Sequence, residues 1–313
     1  MAEQQPQQTL RERLKTYDGP DKVVTAKEIL DHIRTKPQVR MLKSGLANLD
    51  KSLGGGFHPG DLVVLSGATG MGKTTLSQTF EVNMLKTQAI ASLLLSYEGR
   101  KQELLEKFEN FDPSVLKCIT MPRQTEKHHL QWIEERIIES FEKYGTRTVV
   151  IDHLHRLVYK GKGTNFTEEI GNTVIPLKEM AVRLEMVVFL ICHISQEATK
   201  KLTNGEELGL GAVRDSSFIE QEADVVLYTW RMRDDKNKNV PNANIMKLVK
   251  NRHNGEIDVS FPLRFKKGLY YEMARDEYEN LISPRKDPPH NRKSARKDDS
   301  DFVHEELGGL YAA

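Results

Sequence analysis

Cys118 and Cys192 are the only cysteines in the chain, each set among apolar neighbours. That scarcity excludes a disulfide-stapled fold and suits buried free thiols in a reducing compartment. No apolar run is long enough to cross a membrane. The start, Met1-Ala2-Glu3-Gln4-Gln5, lacks the basic-then-apolar pattern of a secretory signal. An intracellular location, cytoplasmic or nucleoid-associated, is therefore expected, with no membrane partner. An excess of one charge is missing too: 46 Lys and Arg against 45 Asp and Glu leave a net +1. Any nucleic-acid contact must rest on a local basic patch, not on a global field. No internal repeat is visible, and 313 residues leave room for one large core plus appendages.

Against that background one stretch stands out. Gly67-Ala68-Thr69-Gly70-Met71-Gly72-Lys73-Thr74-Thr75 completes the pattern G-x4-G-K-[ST]. The apolar run Leu62-Val63-Val64-Leu65 precedes it and helix-compatible sequence follows, the strand–loop–helix context that the motif requires. Glycines let the backbone curl so that its N–H groups face phosphate oxygens, and the next helix adds its N-terminal partial charge. Lys73 is expected to reach the β- and γ-phosphates, and the Thr74 hydroxyl to ligate Mg2+. The chain should thus bind a nucleoside triphosphate, ATP or another, together with Mg2+.

Residues 1–20 are polar, Gln-rich and weakly patterned, which reads as a disordered arm. Residues 21–43 read as a linker segment: Thr25 and Glu28 make a capping box, and Ala26, Ile29, Leu30 and Ile33 share one helical face before Pro37. Such a stripe must dock on its own domain or on a neighbouring subunit. From 44 to 275 strands and helices alternate, the signature of an α/β domain with a central, mostly parallel sheet flanked by helices. Strands are expected at 62–66, 92–96, 148–152, 187–192, 224–229, 245–250 and 257–265. The last two are joined as an antiparallel hairpin through His253-Asn254-Gly255. Leu130, Ile133, Ile137, Phe141 and Tyr144 give a core-facing helical stripe ending at Gly145. Residues 276–313 form a charged tail, basic up to Lys297 and acidic after it, with Leu310 and Tyr311 as apolar anchors. It reads as a disordered solvated segment or as a docking peptide for a primase or polymerase.

Further candidate groups sit where apolar strands end. Thr148-Val149-Val150-Ile151-Asp152 ends in a carboxylate, and at the C-terminal edge of a parallel sheet Asp152 would stand beside the phosphate loop and hold Mg2+ or its water. Asp152-His153-Leu154-His155 mimics a metal cluster, but no further matching ligands lie nearby in sequence. Glu98 closes Leu93-Leu94-Leu95-Ser96-Tyr97 and could orient the water that attacks the γ-phosphate, or be a solvated strand-end residue. His193 and Gln196 follow the strand Val187–Cys192, where a polar group can bond the γ-phosphate and shift when it leaves; for a lone histidine a structural role is the commoner one. Glu197–Gly211 is polar and contains glycine. With Lys200 and Lys201, and Arg214 just after it, it reads as a flexible loop touching a nucleic-acid backbone, or as a solvated surface loop. Lys250 and Arg252 project from the hairpin and suit supply of charge to a phosphate in trans; read alone they are an ordinary basic sheet edge.

Taken together, these segments resemble the RecA-like motor domain of DnaB-type replicative helicases over residues 40–272. The parts that carry the resemblance are the loop ending Met71-Gly72-Lys73-Thr74, Glu98, Asp152, Ile191-Cys192-His193, Arg214–Leu227, and Lys250-Asn251-Arg252 with Asn254-Gly255. They look most like the branch of phage primase-helicases and Twinkle. Gly54-Gly55-Gly56 with Pro59-Gly60 also resembles RadA- and KaiC-type ATPases. The resemblance implies a homo-oligomeric ring, usually a hexamer, that moves 5′ to 3′ on single-stranded DNA and hydrolyses ATP at subunit interfaces. Lys73, Thr74 and Asp152 would hold phosphate and Mg2+, Glu98 would activate water, and His193 would sense the γ-phosphate with Gln196 nearby. Lys250 and Arg252 would come from the adjacent subunit. Lys200, Lys201 and Arg214 would fall in the central DNA-binding loop, Arg231 and Phe265 would sandwich the base, and the helix at 25–35 would pack on the next subunit. A RadA- or recombinase-like DNA-dependent ATPase and a regulatory ATP-binding scaffold are the competing readings.

Overall fold

The computed structural model describes residues 10–19, 22–35, 40–97, 118–120, 129–158, 165–214 and 217–282. The strands are β1 Leu62–Gly67, β2 Ser92–Ser96, β3 Cys118–Thr120, β4 Thr148–Asp152, β5 Val187–His193, β6 Val225–Arg233, β7 Asn239–Asn251, β8 Val259–Lys266 and β9 Leu269–Glu272. The helices are α1 Leu10–Lys15, α2 Ala26–Thr35, α3 Ala47–Ser52, α4 Lys73–Gln88, α5 His129–Tyr144, α6 Leu154–Leu157, α7 Phe166–Leu184, α8 Gln196–Thr203, α9 Ser217–Glu222 and α10 Arg275–Ile282. The strands form one sheet in the order β3-β2-β4-β5-β1-β6-β7-β8-β9. Neighbours from β3 to β6 run parallel, and those from β6 to β9 antiparallel. The α/β class, the mostly parallel sheet and the C-terminal antiparallel strands agree with the sequence pattern.

The central strands are continuous apolar runs because both faces of the sheet are covered. Side chains alternate between faces along a strand. Leu62 and Val64 of β1 therefore join one core with Ile133 and Ile137 of α5 and Ile170, Val174 and Leu177 of α7. Val63 and Leu65 join the other, with Leu49 of α3, Phe57, and Leu76, Phe80 and Met84 of α4. Cys192 is a buried free thiol of the first core; the side chain of Cys118 lies outside the described residues. The expected stripe on α5 is corrected at its end: Tyr144 is 54% exposed, one residue before Gly145 turns the chain at φ 65°.

The strand bounds differ most in the antiparallel half. β6 and β7 continue past the expected limits of 229 and 245, pairing as far as Arg233 with Asn239. A turn closes them, with Asp234 N donating to Lys238 O at 2.9 Å and Asn237 at φ 60°. Met232, Val240 and Ala243 of this extension form a small core with Met273, Tyr278, Leu281 and Ile282. The packed chain thus runs to the end of α10, past the boundary expected at 275. β8 begins at Val259, not 257, since Asp258 takes φ 61° and Ile257 is exposed. Within the expected N-terminal arm, Leu10–Lys15 is helical with no buried residue. The capping box of α2 forms: Thr25 N donates to Glu28 Oε2 at 2.6 Å and Glu28 N to Thr25 Oγ1 at 3.2 Å. Among the described residues, no helix is long and apolar enough to cross a membrane. Glu98 and residues 283–313, with Leu310 and Tyr311, lie outside the described residues.

Candidate functional site

Parallel strands bring their C-terminal ends to one sheet edge, where ligands of such folds bind. Register sets Gly67 opposite His193 and Ser96 opposite Asp152. The phosphate loop, Asp152 and His193 therefore share that edge. The loop between β1 and α4 turns at Gly70, φ 74°, and at Gly72, φ 85°, a region L side chains rarely enter. Close approach adds a second constraint. A Cβ at Gly67 would lie 2.4 Å from Thr229 O, and one at Gly72 would lie 2.1 Å from the Tyr270 hydroxyl. Gly72 is the N-cap of α4 and has no side chain with which to cap. The first-turn N–H groups of α4 have no acceptor within their own helix, which suits an anion at that end.

Lys73, 7% exposed, donates from Nζ to Ala68 O at 3.0 Å and sits 3.5 Å from His193 Nδ1. Thr74 Oγ1 donates to Asp152 Oδ2 at 2.9 Å. Two hard oxygens converge there, the donor type that Mg2+ takes together with phosphate and water oxygens. Among the described residues no group of three His, Cys, Asp or Glu side chains is arranged to hold a metal. The histidines instead pack on one another: the His153 ring lies 3.9 Å from that of His193, tilted by 52°, and stacks on that of His155 at 5.4 Å. Burial, followed by the charges of His193, His155, Lys73 and Arg156, pushes the His153 imidazole down to about 2, so it stays neutral.

Arg231 of β6 and Phe265 of β8 line one cavity of about 510 Å³ with Gly70, Gly72, Thr75, Asn244 and Tyr270. The aromatic ring and guanidinium expected to flank a base thus open onto the phosphate loop. Burial pushes the Tyr270 phenol up to about 12, with nearby Arg231 opposing the shift. It is neutral beside the loop.

The stretch 197–211, expected as a flexible loop, is corrected in part. Its first half is the helix α8, capped by Ser195, whose side chain accepts from Ala198 N at 3.1 Å. Gln196 is the first residue of that helix and is exposed. Lys200 and Lys201 are exposed in its last turn, and Lys201 pairs with Glu197 at 3.3 Å. Beyond the helix the chain is tied to the body. Lys247 of β7 bonds Glu207 at 2.7 Å, Leu208 is buried, and Glu220 accepts from Gly211 N at 2.6 Å and Val213 N at 3.2 Å. Exposed Arg214 donates its backbone N–H to His193 O at 2.9 Å, joining this segment directly to the strand end beside the phosphate loop.

Lys250 and Arg252 lie elsewhere. Val225 at the start of β6 pairs with Asn251 and sits beside Val63 near the start of β1. The two cations therefore occupy the N-terminal edge, separated from the phosphate loop by the length of β1. Strands rise about 3.3 Å per residue, so that separation is on the order of 15 Å. In this chain Lys250 Nζ donates to Glu220 O at 2.6 Å and Gln221 O at 3.0 Å. Arg252 donates to Asp224 Oδ1 at 3.3 Å and Gln221 O at 2.8 Å. Burial, then the neighbouring Arg252, lowers the Lys250 ammonium.

Three residues that no sequence pattern marks also support the site. Thr229 and Asn244 hold the loop at Met71, and Tyr270 fills the space that Gly72 leaves. Each contact joins segments far apart in sequence, so nothing local announces it. His153, which resembled part of a metal cluster, instead packs on His193.

A family model described as "ATPase: KaiC" matches residues 42–243. A protein of Trieres chinensis described as "Probable replicative DNA helicase" is 24% identical over 304 residues, covering 84% of this chain and 65% of that protein. The replicative DNA helicase DnaB of Mycoplasma genitalium is 26% identical, covering 70% of this chain and 54% of the helicase. The DNA repair protein RadA of Campylobacter jejuni is 25% identical, covering 71% and 44%. The chain thus spans between about half and two thirds of the length of the helicases it matches. Among solved structures, a DnaB-like replicative helicase, in a structure titled for its interactions with primase, superposes with a TM-score of 0.63 at 20% identity, covering 79% of this chain and 67% of that one. A KaiC-like protein of the archaeon Pyrococcus horikoshii superposes at 0.57 and 18% identity, covering 75% and 100%. Matched by the family model over more than half its length, and built on the RecA-like core that these structures share, the chain belongs to the KaiC ATPase family.

Proposed function

We propose that the chain is the motor of an ATP-driven DNA helicase, assembled as a homo-oligomeric ring, that moves 5′ to 3′ on single-stranded DNA and opens duplex. The observation that carries this reading is the separation of the two halves of the site. Lys73, Thr74, Asp152 and His193 gather at one sheet edge, while Lys250 and Arg252 stand at the other. A cation there is too far to reach its own loop, so a role at a phosphate needs the loop of a neighbouring copy, as in a head-to-tail ring. The names of the relatives, replicative helicases above all, point the same way.

On this reading the loop N–H groups and Lys73 cradle the triphosphate, and Arg231 and Phe265 hold the base. Thr74 and Asp152 would hold Mg2+, which when bound neutralises charge on the β- and γ-oxygens. Glu98 orients the attacking water, and Lys250 and Arg252 of the next copy stabilise charge as the γ-phosphate leaves. His193 registers that loss, and its carbonyl carries the change to Arg214 N–H and so to Lys200, Lys201 and the DNA backbone. Contacts to phosphate ignore sequence and weaken steeply with salt. Primase is a candidate partner, because a DnaB-like relative is titled for its interactions with one.

The test is unwinding of forked DNA by the full chain with ATP and Mg2+, comparing a single 5′ arm with a single 3′ arm. Unwinding that needs the 5′ arm is expected; dependence on the 3′ arm overturns the polarity, and active ATPase with no unwinding overturns the helicase reading. The similarity to RadA favours a second reading, a DNA-dependent ATPase acting as an open filament. Electron microscopy separates the two, since a closed ring has a fixed number of subunits and a filament does not.

A further inference from the structure

The phosphate loop is gripped from outside as well as shaped by its glycines. Asn244, in the middle of β7, is 7% exposed. Its Nδ2 donates to Met71 O at 2.9 Å and lies 3.4 Å from Thr229 Oγ1, which itself approaches Met71 O at 3.4 Å. A carbonyl can only accept, so Met71 O fixes which end of the Asn244 amide faces the loop.

We infer that Asn244 is a positioning residue for the triphosphate cradle, acting through the Met71–Gly72 peptide. In a trans peptide the C=O and the following N–H point in opposite directions. Holding Met71 O against β6 and β7 therefore turns the Gly72 N–H away from them and fixes the peptide just ahead of Lys73. Gly72 alone would leave that peptide free to rotate, because glycine enters φ values of either sign. Asn244 removes the freedom that the glycine creates. Its second role follows from its place: Asn244 also lines the cavity of Arg231 and Phe265, so the strand that walls the base pocket is the strand that sets the loop.

This inference rests on reading 67–75 as a triphosphate cradle, and the test keeps the two apart. Binding of ATP and of inorganic tripolyphosphate, each with Mg2+, is measured by calorimetry on the full chain, for wild type, Asn244→Leu and Lys73→Ala. Leucine keeps the volume and adds no charge but cannot donate. Leaving Met71 O with only the longer Thr229 contact of 3.4 Å lowers affinity roughly tenfold where the loop must be reset on binding. Asn244→Leu is expected to weaken tripolyphosphate and ATP alike by about that factor, with the melting temperature of the ligand-free protein within a few degrees of wild type. A loss confined to ATP would mean that Asn244 touches the base and does not set the loop. Tripolyphosphate binding within twofold of wild type would overturn the inference outright. If Asn244→Leu melts early, Asn244→Ala is measured in its place with the same criteria. Unchanged binding by Lys73→Ala would instead sink the cradle reading itself.

Discussion

Glu81 lies two turns into α4 and is 1% exposed, and neither carboxyl oxygen has a hydrogen-bond partner. Burial, with the Asp152 charge as the smaller cause, pushes it up to about 8 from an ordinary 4.5. Between those values the folded chain keeps a proton that the unfolded chain has released. The group's contribution is therefore full below about pH 4.5 and is lost as pH rises through about 8. Glu81→Gln keeps the shape and removes the titration. The two proteins should melt alike near pH 5, and the variant should be more stable near pH 8 by a few kcal/mol at most, since each tenfold change in proton affinity is worth about 1.4 kcal/mol. Thermal unfolding across that range checks it, and parallel melting curves at every pH would rule the buried neutral acid out. Residues of this kind were invisible in the sequence. Lys73 and Thr74 could be picked out because a phosphate cradle imposes its own local spacing. Glu81 matters through burial, and Asn244 through a bond to Met71 across 173 residues; neither has a local signature.

Elements were legible to the extent that one physical cause wrote them. β1, β2, β4 and β5 are buried on both faces, so their apolar runs announce them. The extension of β6 and β7 is not, because its polar side chains are interspersed with Met232, Val240 and Ala243 and no apolar run forms. β3 and β9, three and four residues long, carry too few positions for any period to show. The helix α2 is the reverse case, legible and yet unfinished. Its ten residues, none of them buried, are fewer than an isolated helix needs to be stable in water. Its capping box forms, and Ile29, Leu30 and Ile33 remain exposed along one face. On the ring proposal that face is covered by the next copy. Ile29→Asp with Ile33→Asp should then shift the sedimenting species toward the monomer while the melting of the sheet stays near wild type. A double variant that sediments as wild type would detach α2 from assembly. Thr25→Ala should act in the same direction but weakly, by about 1 kcal/mol of helix stability.

Across the whole molecule the sheet works as a spacer. One edge carries the loop, Asp152 and His193, and the other carries Lys250 and Arg252, held within this chain by Asp224, Glu220 O and Gln221 O. Asp224 is also bonded by Lys178 Nζ at 2.5 Å, so its charge stays paired if Arg252 swings away to another copy. On the ring proposal, a site divided in this way has a consequence that no single chain can show. There Lys73→Ala would spoil the loop side of an interface and Arg252→Ala the other side, so each variant alone should fold, assemble and fail to hydrolyse ATP. Mixed in equal amounts and allowed to exchange, they create interfaces where an intact loop from one faces an intact arginine from the other. Random mixing in a head-to-tail ring makes about a quarter of the interfaces whole. ATPase activity should therefore return to about that fraction of wild type if the sites fire independently, and to less if they must fire in turn. Arg252 acting on its own chain predicts a mixture as inactive as its components, and steady-state phosphate release on the three samples decides between them.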